Sequence, residues 1–125
     1  MKIQQLCTIA ALATLSTAAL AEFPDKPVVL VVPFAAGGPS DKIARDLAEA
    51  MRKTLPQPVV VENAAGAGGT IGVAKVARSS ADGHTLLVHH IGMATAPALY
   101  RKLSYQMPDD FEYLGLINES PSTVI

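Results

Sequence analysis

Short apolar runs alternate with amphipathic segments along most of this chain. The runs are Val28–Val32, Val59–Val61 and Thr85–Val88, and the first two consist almost entirely of β-branched residues. Uninterrupted apolar runs of this length are typical of strands that are buried on both faces, as in a parallel sheet. Their alternation with helical segments predicts right-handed β-α-β crossovers and an α/β fold.

The segment between the first two runs predicts an amphipathic helix. Ile43, Leu47 and Met51 recur at four-residue spacing and form one apolar face. Ser40 is expected to cap this helix. Asp41 is expected to stabilise its first turn, because a negative charge there complements the helix dipole.

Three further elements are predicted after the second run. A short, alanine-rich helix is expected from about Thr70 to Arg78. Residues 92–100 predict a loop and a short helix that is broken at Pro97. Residues 113–117 are expected to form another strand, so strands and helices alternate to the end of the pattern.

The first 21 residues follow a different pattern. After Lys2 comes an uncharged run that ends in Ala19-Leu20-Ala21, a small-x-small signature for signal peptidase. The run is too short and too weakly flanked for a membrane span. We therefore predict a signal peptide over residues 1–21, cleavage after Ala21 and a periplasmic location; a buried apolar helix is the alternative.

Composition excludes several function classes. The only cysteine, Cys7, lies in the predicted signal peptide, so the mature chain is expected to lack thiols for catalysis or metal binding. The chain has 10 basic and 11 acidic residues, which leaves no basic surplus to bind nucleic acid or an anionic membrane. It stops within the apolar run 121–125, which we interpret as an interrupted sequence.

Two glycine-rich turns carry the clearest chemical signal. The first extends from Pro33 to Asp41 and the second from Glu62 to Thr70, and each leaves an apolar run and opens a predicted helix. Small residues at a helix start leave backbone N–H groups unpaired, and the helix dipole favours an anion beside them. The two turns together predict an anion-binding site at the carboxyl edge of the sheet.

Three alternatives stay open on these residues alone. A nucleotide-binding enzyme is disfavoured, because Ile71 stands where a dinucleotide fingerprint needs its third glycine and no lysine follows a glycine of either turn. An exported α/β hydrolase would use Ser40 as nucleophile with a histidine base, but the glycine-x-serine-x-glycine elbow is missing. In a structural periplasmic protein, the glycines would serve only the packing of helices.

The histidines predict different environments. His89 and His90 follow the third run, at the same sheet edge as the glycine turns. One of them is expected either to donate a hydrogen bond to a bound carboxylate or to serve packing. Their side chains should point to opposite sides of an extended segment, so neither a metal site nor a cofactor is expected. His84, before the third run, is expected at the surface.

Seven motifs recur in an order and spacing that resemble one protein family. They cover nearly all of the predicted mature chain and are FPDKP at 23–27, VPFAAGGPSD at 32–41, VVVEN at 59–63, GAGGTIG at 66–72, ADGHTLL at 81–87, PALY at 97–100 and DF at 110–111. With these motifs the sequence resembles the extracytoplasmic substrate-binding proteins of tripartite tricarboxylate transporters, also called the Bug receptor family.

The resemblance implies a periplasmic-binding-protein-like (type II) fold, with residues 22–125 forming part of the first of two domains. It also implies a non-enzymatic receptor, monomeric when full length, that closes on a small carboxylate and delivers it to membrane permease subunits. In the family, backbone amides after the first strands hold the ligand. Carried over to this chain, the implied ligand-binding residues are Phe34, Ala35, Gly37, Gly38, Asp41, Gly68, Gly69 and Thr70.

The chain departs from the family pattern in two ways. Many members have small hydroxyl residues after the third strand, whereas this chain has His89 and His90. We add both histidines to the expected ligand site, which makes a bulkier or aromatic acid a candidate ligand. Family members are also much longer, so a fragment ending here is expected to be poorly stable or prone to aggregate alone.

Overall fold

The computed structural model describes residues 22–119. The predicted signal peptide, with Cys7 and the cleavage site after Ala21, lies outside the described residues, as does the apolar run at 121–125. Within the described part, the predicted α/β fold with a parallel sheet is confirmed.

Three parallel strands form the sheet, and β1 lies between β2 and β3. Their bounds are Val28–Val32 for β1, Val59–Asn63 for β2 and Thr85–Leu87 for β3. Leu30 of β1 pairs with Val61 on one side and with Leu86 on the other. All three predicted strands are therefore present, with β2 two residues longer and β3 one residue shorter than the apolar runs.

Three helices connect or follow these strands. Their bounds are Pro39–Met51 for α1, Thr70–Ala77 for α2 and Gly92–Leu99 for α3, and a 3-10 turn, Ala67–Gly69, leads directly into α2. Within residues 22–119, none of the helices has the length and apolar character needed to cross a membrane.

Two details of the helices differ from expectation. Gly38, not Ser40, is the N-cap of α1, so the prediction that Ser40 caps this helix is wrong. Pro39 fits the first helical position, where its fixed φ is suitable and its missing N–H is not needed, and the helix therefore starts before Ser40. The predicted break at Pro97 is also wrong, because α3 continues to Leu99; a proline in the second turn removes only one hydrogen bond from so short a helix.

Apolar clusters cover both faces of β1. On one face, Leu30 is fully buried in a cluster with Ala44 and other residues of α1. Val31 points to the opposite face, together with its β3 partner Leu87, which packs against a second cluster formed by Val73 of α2 and Tyr105. Burial on both faces explains why these strands are continuous apolar runs rather than alternating ones.

The order of the strands determines where a ligand crevice can form. From β1 the chain passes outward to β2 and then returns across β1 to β3. In open parallel sheets, ligands bind beyond the carboxyl ends of neighbouring strands whose following connections diverge. β1 and β3 are neighbours, and the chain leaves β1 toward β2, so we expect a crevice beyond Val32 and Leu87.

Residues 113–117 do not form the expected strand. Tyr113, Leu114, Leu116 and Ile117 are all exposed, and none of the strands within residues 22–119 pairs with this segment. An apolar run becomes a strand only where a neighbouring strand pairs with its backbone and covers its side chains. The pattern alone does not supply that neighbour.

His84 is buried, so its expected surface position is wrong. It is only 7% exposed, and its ring centroid lies 4.8 Å from that of Phe23. Its Nε2 lies 3.0 Å from an oxygen of Asp25 and its Nδ1 3.3 Å from an oxygen of Asp82. The segment that covers His84 is about sixty residues away in the chain, a distance over which periodicity carries no information.

Gly72 is a point of close approach between α2 and the turns that follow β1 and β2. A Cβ atom at this position would lie 2.7 Å from Cβ of Pro33 and 2.8 Å from the carbonyl oxygen of Ala64. Such distances are too short for van der Waals contact, and one of the two neighbours is backbone. Gly72 therefore lets α2 lie directly against both turns.

We expect Gly72→Ala to lower the urea midpoint of unfolding, with a cost of about 1–3 kcal/mol, because the added methyl group overpacks a backbone contact. Alanine is the better helix former, so helix propensity alone predicts the opposite sign. Gly115→Ala is the matched control, since a Cβ there meets nothing within 4 Å. A midpoint raised by Gly72→Ala would show that α2 does not depend on this contact.

Candidate functional site

The turns after all three strands converge at the carboxyl edge of the sheet. The Phe34 ring, after β1, packs against both histidines that follow β3, with centroid distances of 5.2 Å to His89 and 4.6 Å to His90. A Cβ placed on Gly69, from the turn after β2, would lie 3.4 Å from the Phe34 ring and 3.3 Å from Nε2 of His89. Three separate segments of the predicted site therefore meet at Phe34.

The carboxylate of Asp41 joins the first turn to its surroundings. Its Oδ2 accepts hydrogen bonds from the backbone N–H of Gly37 at 2.8 Å and from Nε of Arg45 at 2.9 Å. Its Oδ1 accepts a hydrogen bond from Nδ2 of Asn63 at 2.9 Å. Asp41 is 3% exposed, so its carboxylate is committed to groups of the protein itself.

These donors hold the pKa of Asp41 well below its usual range. The hydrogen bond from Arg45 has the largest effect, followed by those from the Gly37 amide and the Asn63 side chain. The pKa of Arg45 is raised in turn, chiefly by the same hydrogen bond. Both groups are therefore ionised across the physiological range, and Asp41 acts as a fixed acceptor within the protein.

Asn63 is a positioning residue that sequence reasoning did not place in the site. Besides its bond to Asp41, its Nδ2 donates to the carbonyl oxygen of Phe34 at 3.1 Å. This one side chain therefore links the end of β2 to both ends of the turn after β1. In the sequence, the only indication is that Asn63 follows an apolar run at the end of a predicted strand. That position indicates a polar contact there but does not identify the residues that make it.

Backbone amides at the predicted positions divide into two groups. The N–H of Gly37 is donated to Asp41, that of Gly69 to the carbonyl of Gly66 and that of Thr70 to the carbonyl of Ala67. Among residues 22–119, the turn and loop hydrogen bonds include none from the amides of Ala35, Gly38 and Gly68, nor from those of Phe34, Asp41 and His89. The turns therefore hold their own shape with some amides and present others to the crevice.

The two histidine rings lie side by side. Their centroids are 4.9 Å apart, so the expectation that they point to opposite sides is wrong. The chain is not extended here: it turns into α3 directly after His90, and this turn brings the rings together.

No group of three or more His, Cys, Asp and Glu side chains in the described part of the chain is arranged to hold a metal ion.

Hydrogen bonds determine which ring nitrogens of the histidines face outward. Nδ1 of His89 accepts from the backbone N–H of His90 at 2.8 Å, and Nδ1 of His90 accepts from that of Gly92 at 2.9 Å. Burial lowers the pKa of His89, which favours the neutral ring. Nδ1 of His89 also lies 2.8 Å from the carbonyl oxygen of His90, to which it donates in the other tautomer. Nε2 of His89 faces Gly69 in both tautomers and is a donor in the one that accepts at Nδ1.

Tyr100 also borders the crevice, although no pattern in the sequence indicated it. A Cβ on Gly68 would overlap its hydroxyl oxygen, so the turn and the tyrosine are in direct contact. Gly68 has a φ of 63°, which most side chains avoid.

Ser40, the candidate nucleophile, lies in the first turn of α1, and no hydrogen bond joins it to a histidine among residues 22–119. The arrangement offers donors for an anion rather than a nucleophile with its base.

Known proteins match both the sequence and the fold. A family model described as "Tripartite tricarboxylate transporter family receptor" matches residues 43–125. The "UPF0065 protein in the TAR-I ttuE-ttuC' intergenic region" of Agrobacterium vitis is 52% identical over 103 residues, which are 82% of this chain and 30% of that protein.

Two solved structures share the fold at high sequence identity. Periplasmic binding protein BugD superposes with a TM-score of 0.65 at 57% identity, covering 67% of this chain and 28% of BugD. MatC from Rhodopseudomonas palustris with bound malate superposes with a TM-score of 0.64 at 50% identity, covering 67% of this chain and 29% of MatC.

The chain thus spans about a third of the length of the relatives that it matches. These relatives are solute-binding receptors rather than enzymes, which removes the hydrolase alternative. The fold, the motifs and the family model agree, and the chain belongs to the family of tripartite tricarboxylate transporter receptors, the Bug family.

Proposed function

We propose that this chain forms one side of a periplasmic receptor that binds a small carboxylate and delivers it to membrane permease subunits. In this proposal residues 1–21 are removed after Ala21, and residues 22–125 belong to the first of two domains in a monomeric receptor. The second domain closes on the ligand. The observation that carries the proposal is the convergence of three turns on Phe34 at the carboxyl edge of the sheet.

We call the proposed ligand site the carboxylate clamp. It comprises the ten residues expected from the sequence, which are Phe34, Ala35, Gly37, Gly38, Asp41, Gly68, Gly69, Thr70, His89 and His90. Its donors are neutral: backbone amides at the starts of α1 and α2, and the Nε2–H that His89 carries in the tautomer that accepts at Nδ1. Helix N-termini favour an anion without a full positive charge. The malate bound by MatC has the chemistry that such a clamp selects.

Within the clamp, the residues have different tasks. Ala35, Gly38 and Gly68 supply amides, while the Phe34 ring forms an apolar wall that shields the hydrogen bonds from water. Asp41 does not face the ligand, because its oxygens are occupied by Gly37, Arg45 and Asn63; it acts as a positioning residue.

Gly69→Ala is expected to weaken carboxylate binding at least about tenfold, equivalent to roughly 1.4 kcal/mol. The added methyl group enters the space between Nε2 of His89 and the Phe34 ring, where the ligand is proposed to lie. The measurement is a thermal-shift screen followed by calorimetric titration of the full-length receptor with malate, adipate, citrate and nicotinate.

Gly83→Ala is the matched control for that substitution. Gly83 has a φ of 82°, close to the 96° of Gly69, so both variants have a similar backbone strain, but Gly83 lies beside Phe23 and away from the clamp. The control is expected to lose stability and retain affinity. Failure of all the acids to bind, or equal affinity in Gly69→Ala and the unmodified receptor, would contradict the clamp.

Asp41→Asn is expected to remove an acid-sensitive part of the receptor's stability. Because folding lowers the pKa of Asp41, its stabilisation is fully present above the unfolded value of about 3.9 and is lost as the pH falls below it. The difference in urea midpoint between the receptor and the variant should be largest near neutral pH and shrink below about pH 4.

The control for Asp41→Asn is Asp46→Asn. Asp46 is also four residues from its basic partner, Lys42, but the pair is exposed and 3.7 Å apart. Exposed pairs contribute little, so this variant should change the midpoint only slightly at any pH. Parallel pH profiles for the two variants would mean that Asp41 has no special role.

A further inference from the structure

A second cleft lies beside α2. It has a volume of about 210 Å³ and runs between the outer surface of α2 and residues 102–105, which follow α3. Thr70 lines one end and Arg78 the other. These residues are eight positions apart, about 12 Å along a helix, so the Arg78 end is well separated from the carboxylate clamp.

The polar groups of this cleft are hydrogen-bond donors, and two of them are cations. Arg78 and Lys102 line it, and none of the ion pairs within residues 22–119 includes either residue. Nη1 of Arg78 lies 3.4 Å from the hydroxyl of Ser104. No acidic side chain lines the cleft. Its charge is therefore uncompensated by the protein around it.

Tyr105 adds a buried donor without a partner. The residue is 6% exposed, and its hydroxyl has no hydrogen-bond partner in the described part of the chain. Burial raises the pKa of this phenol, which keeps it protonated. A buried hydroxyl that makes no hydrogen bond is unfavourable, and native proteins normally satisfy such groups. The hydroxyl oxygen has almost no surface open to solvent, so an acceptor held in the cleft would satisfy it once the side chain turns toward the cleft.

The walls of the cleft indicate an organic rather than an inorganic ligand. Ile71, Ala74 and Leu103 supply apolar surface beside the donors. A volume of about 210 Å³ equals that of roughly seven liquid waters, which suits a short carbon chain with two acidic groups. Two cations match two carboxylates, and the apolar walls match the carbons between them.

We propose that this cleft is a second binding site, specific for a small organic dianion such as a dicarboxylate. It adjoins the carboxylate clamp at Thr70, and its cations, Arg78 and Lys102, lie outside the clamp. The ligand's carboxylates bind Arg78 and Lys102, the hydroxyls of Ser104 and Tyr105 donate to its oxygens, and Ile71 and Leu103 contact its carbons. A bound dianion links α2 to the segment after α3.

The test uses succinate on the full-length receptor, followed by NMR of labelled arginine side chains and tyrosine rings. Titrations are made in the Gly69→Ala background, so that binding at the cleft is measured apart from the clamp. Succinate is expected to shift the signals of Arg78 and Tyr105 in a saturable manner. Arg78→Gln should weaken this binding at least about tenfold.

Arg101→Gln is the matched control, because it removes the same charge from a neighbouring residue that does not line the cleft. It should leave succinate binding within about twofold, since exposed charges outside a site are largely screened. Tyr105→Phe should weaken succinate binding without lowering the thermal midpoint, because the hydroxyl that it removes is unpaired. A merely structural tyrosine would instead leave succinate binding unchanged.

Three results would overturn the proposal. The first is the absence of saturable shifts at Arg78 and Tyr105, and the second is equal weakening by Arg78→Gln and Arg101→Gln. The third is inorganic sulfate binding as tightly as succinate, which would contradict the part assigned to the apolar walls. If only the clamp fails to bind a carboxylate, succinate still shifts the NMR signals of Arg78 and Tyr105. The experiment therefore distinguishes failure of the proposed receptor function from failure of the cleft as a binding site.

Discussion

The ionised carboxylate of Asp41 is the contact on which the geometry of the whole sheet edge depends. A glycine-rich turn has little intrinsic preference for one shape, because its residues lose more conformational freedom on folding than others do. Asp41 fixes this turn by accepting the Gly37 amide, while Asn63 holds both Asp41 and the carbonyl of Phe34. Arg45 keeps the carboxylate charged. The flexible turn is thus held in place by side chains from α1 and β2.

Holding the turn in this way leaves neutral groups to meet the ligand. Arg45, the cation that contacts the turn after β1 through Asp41, has its charge largely balanced by that carboxylate. A carboxylate in the proposed clamp would be held by oriented amides and, in the tautomer that accepts at Nδ1, by the Nε2–H of His89. Such donors discriminate by direction and distance, and the Phe34 ring strengthens them by excluding water. Selection then depends on the shape of the acid more than on its charge.

Much of this arrangement follows from local pattern. The apolar runs predicted β1, β2 and β3 because strands buried on both faces need such runs, and a parallel order places the turns after them at one edge. The contacts of Tyr100 with Gly68, and of Phe23 with His84, were not predictable, because they join residues far apart in the chain. The prediction of a strand at residues 113–117 is wrong for the same reason. Whether an apolar run forms a strand depends on a neighbouring strand that the run's own residues do not specify.

α2 connects the two sites that we propose, and its packing determines how they interact. Gly72 holds the helix against the turns after β1 and β2, so α2 cannot shift without disturbing the clamp. Its outer surface carries Arg78 in the second cleft. If a dianion in the cleft favours one position of α2, it changes the affinity of the clamp for its carboxylate by some factor. A carboxylate in the clamp then changes the affinity of the cleft for the dianion by the same factor, because the coupling between two sites is reciprocal. The coupling is carried by one rigid helix of two turns, so it requires no rearrangement of the sheet.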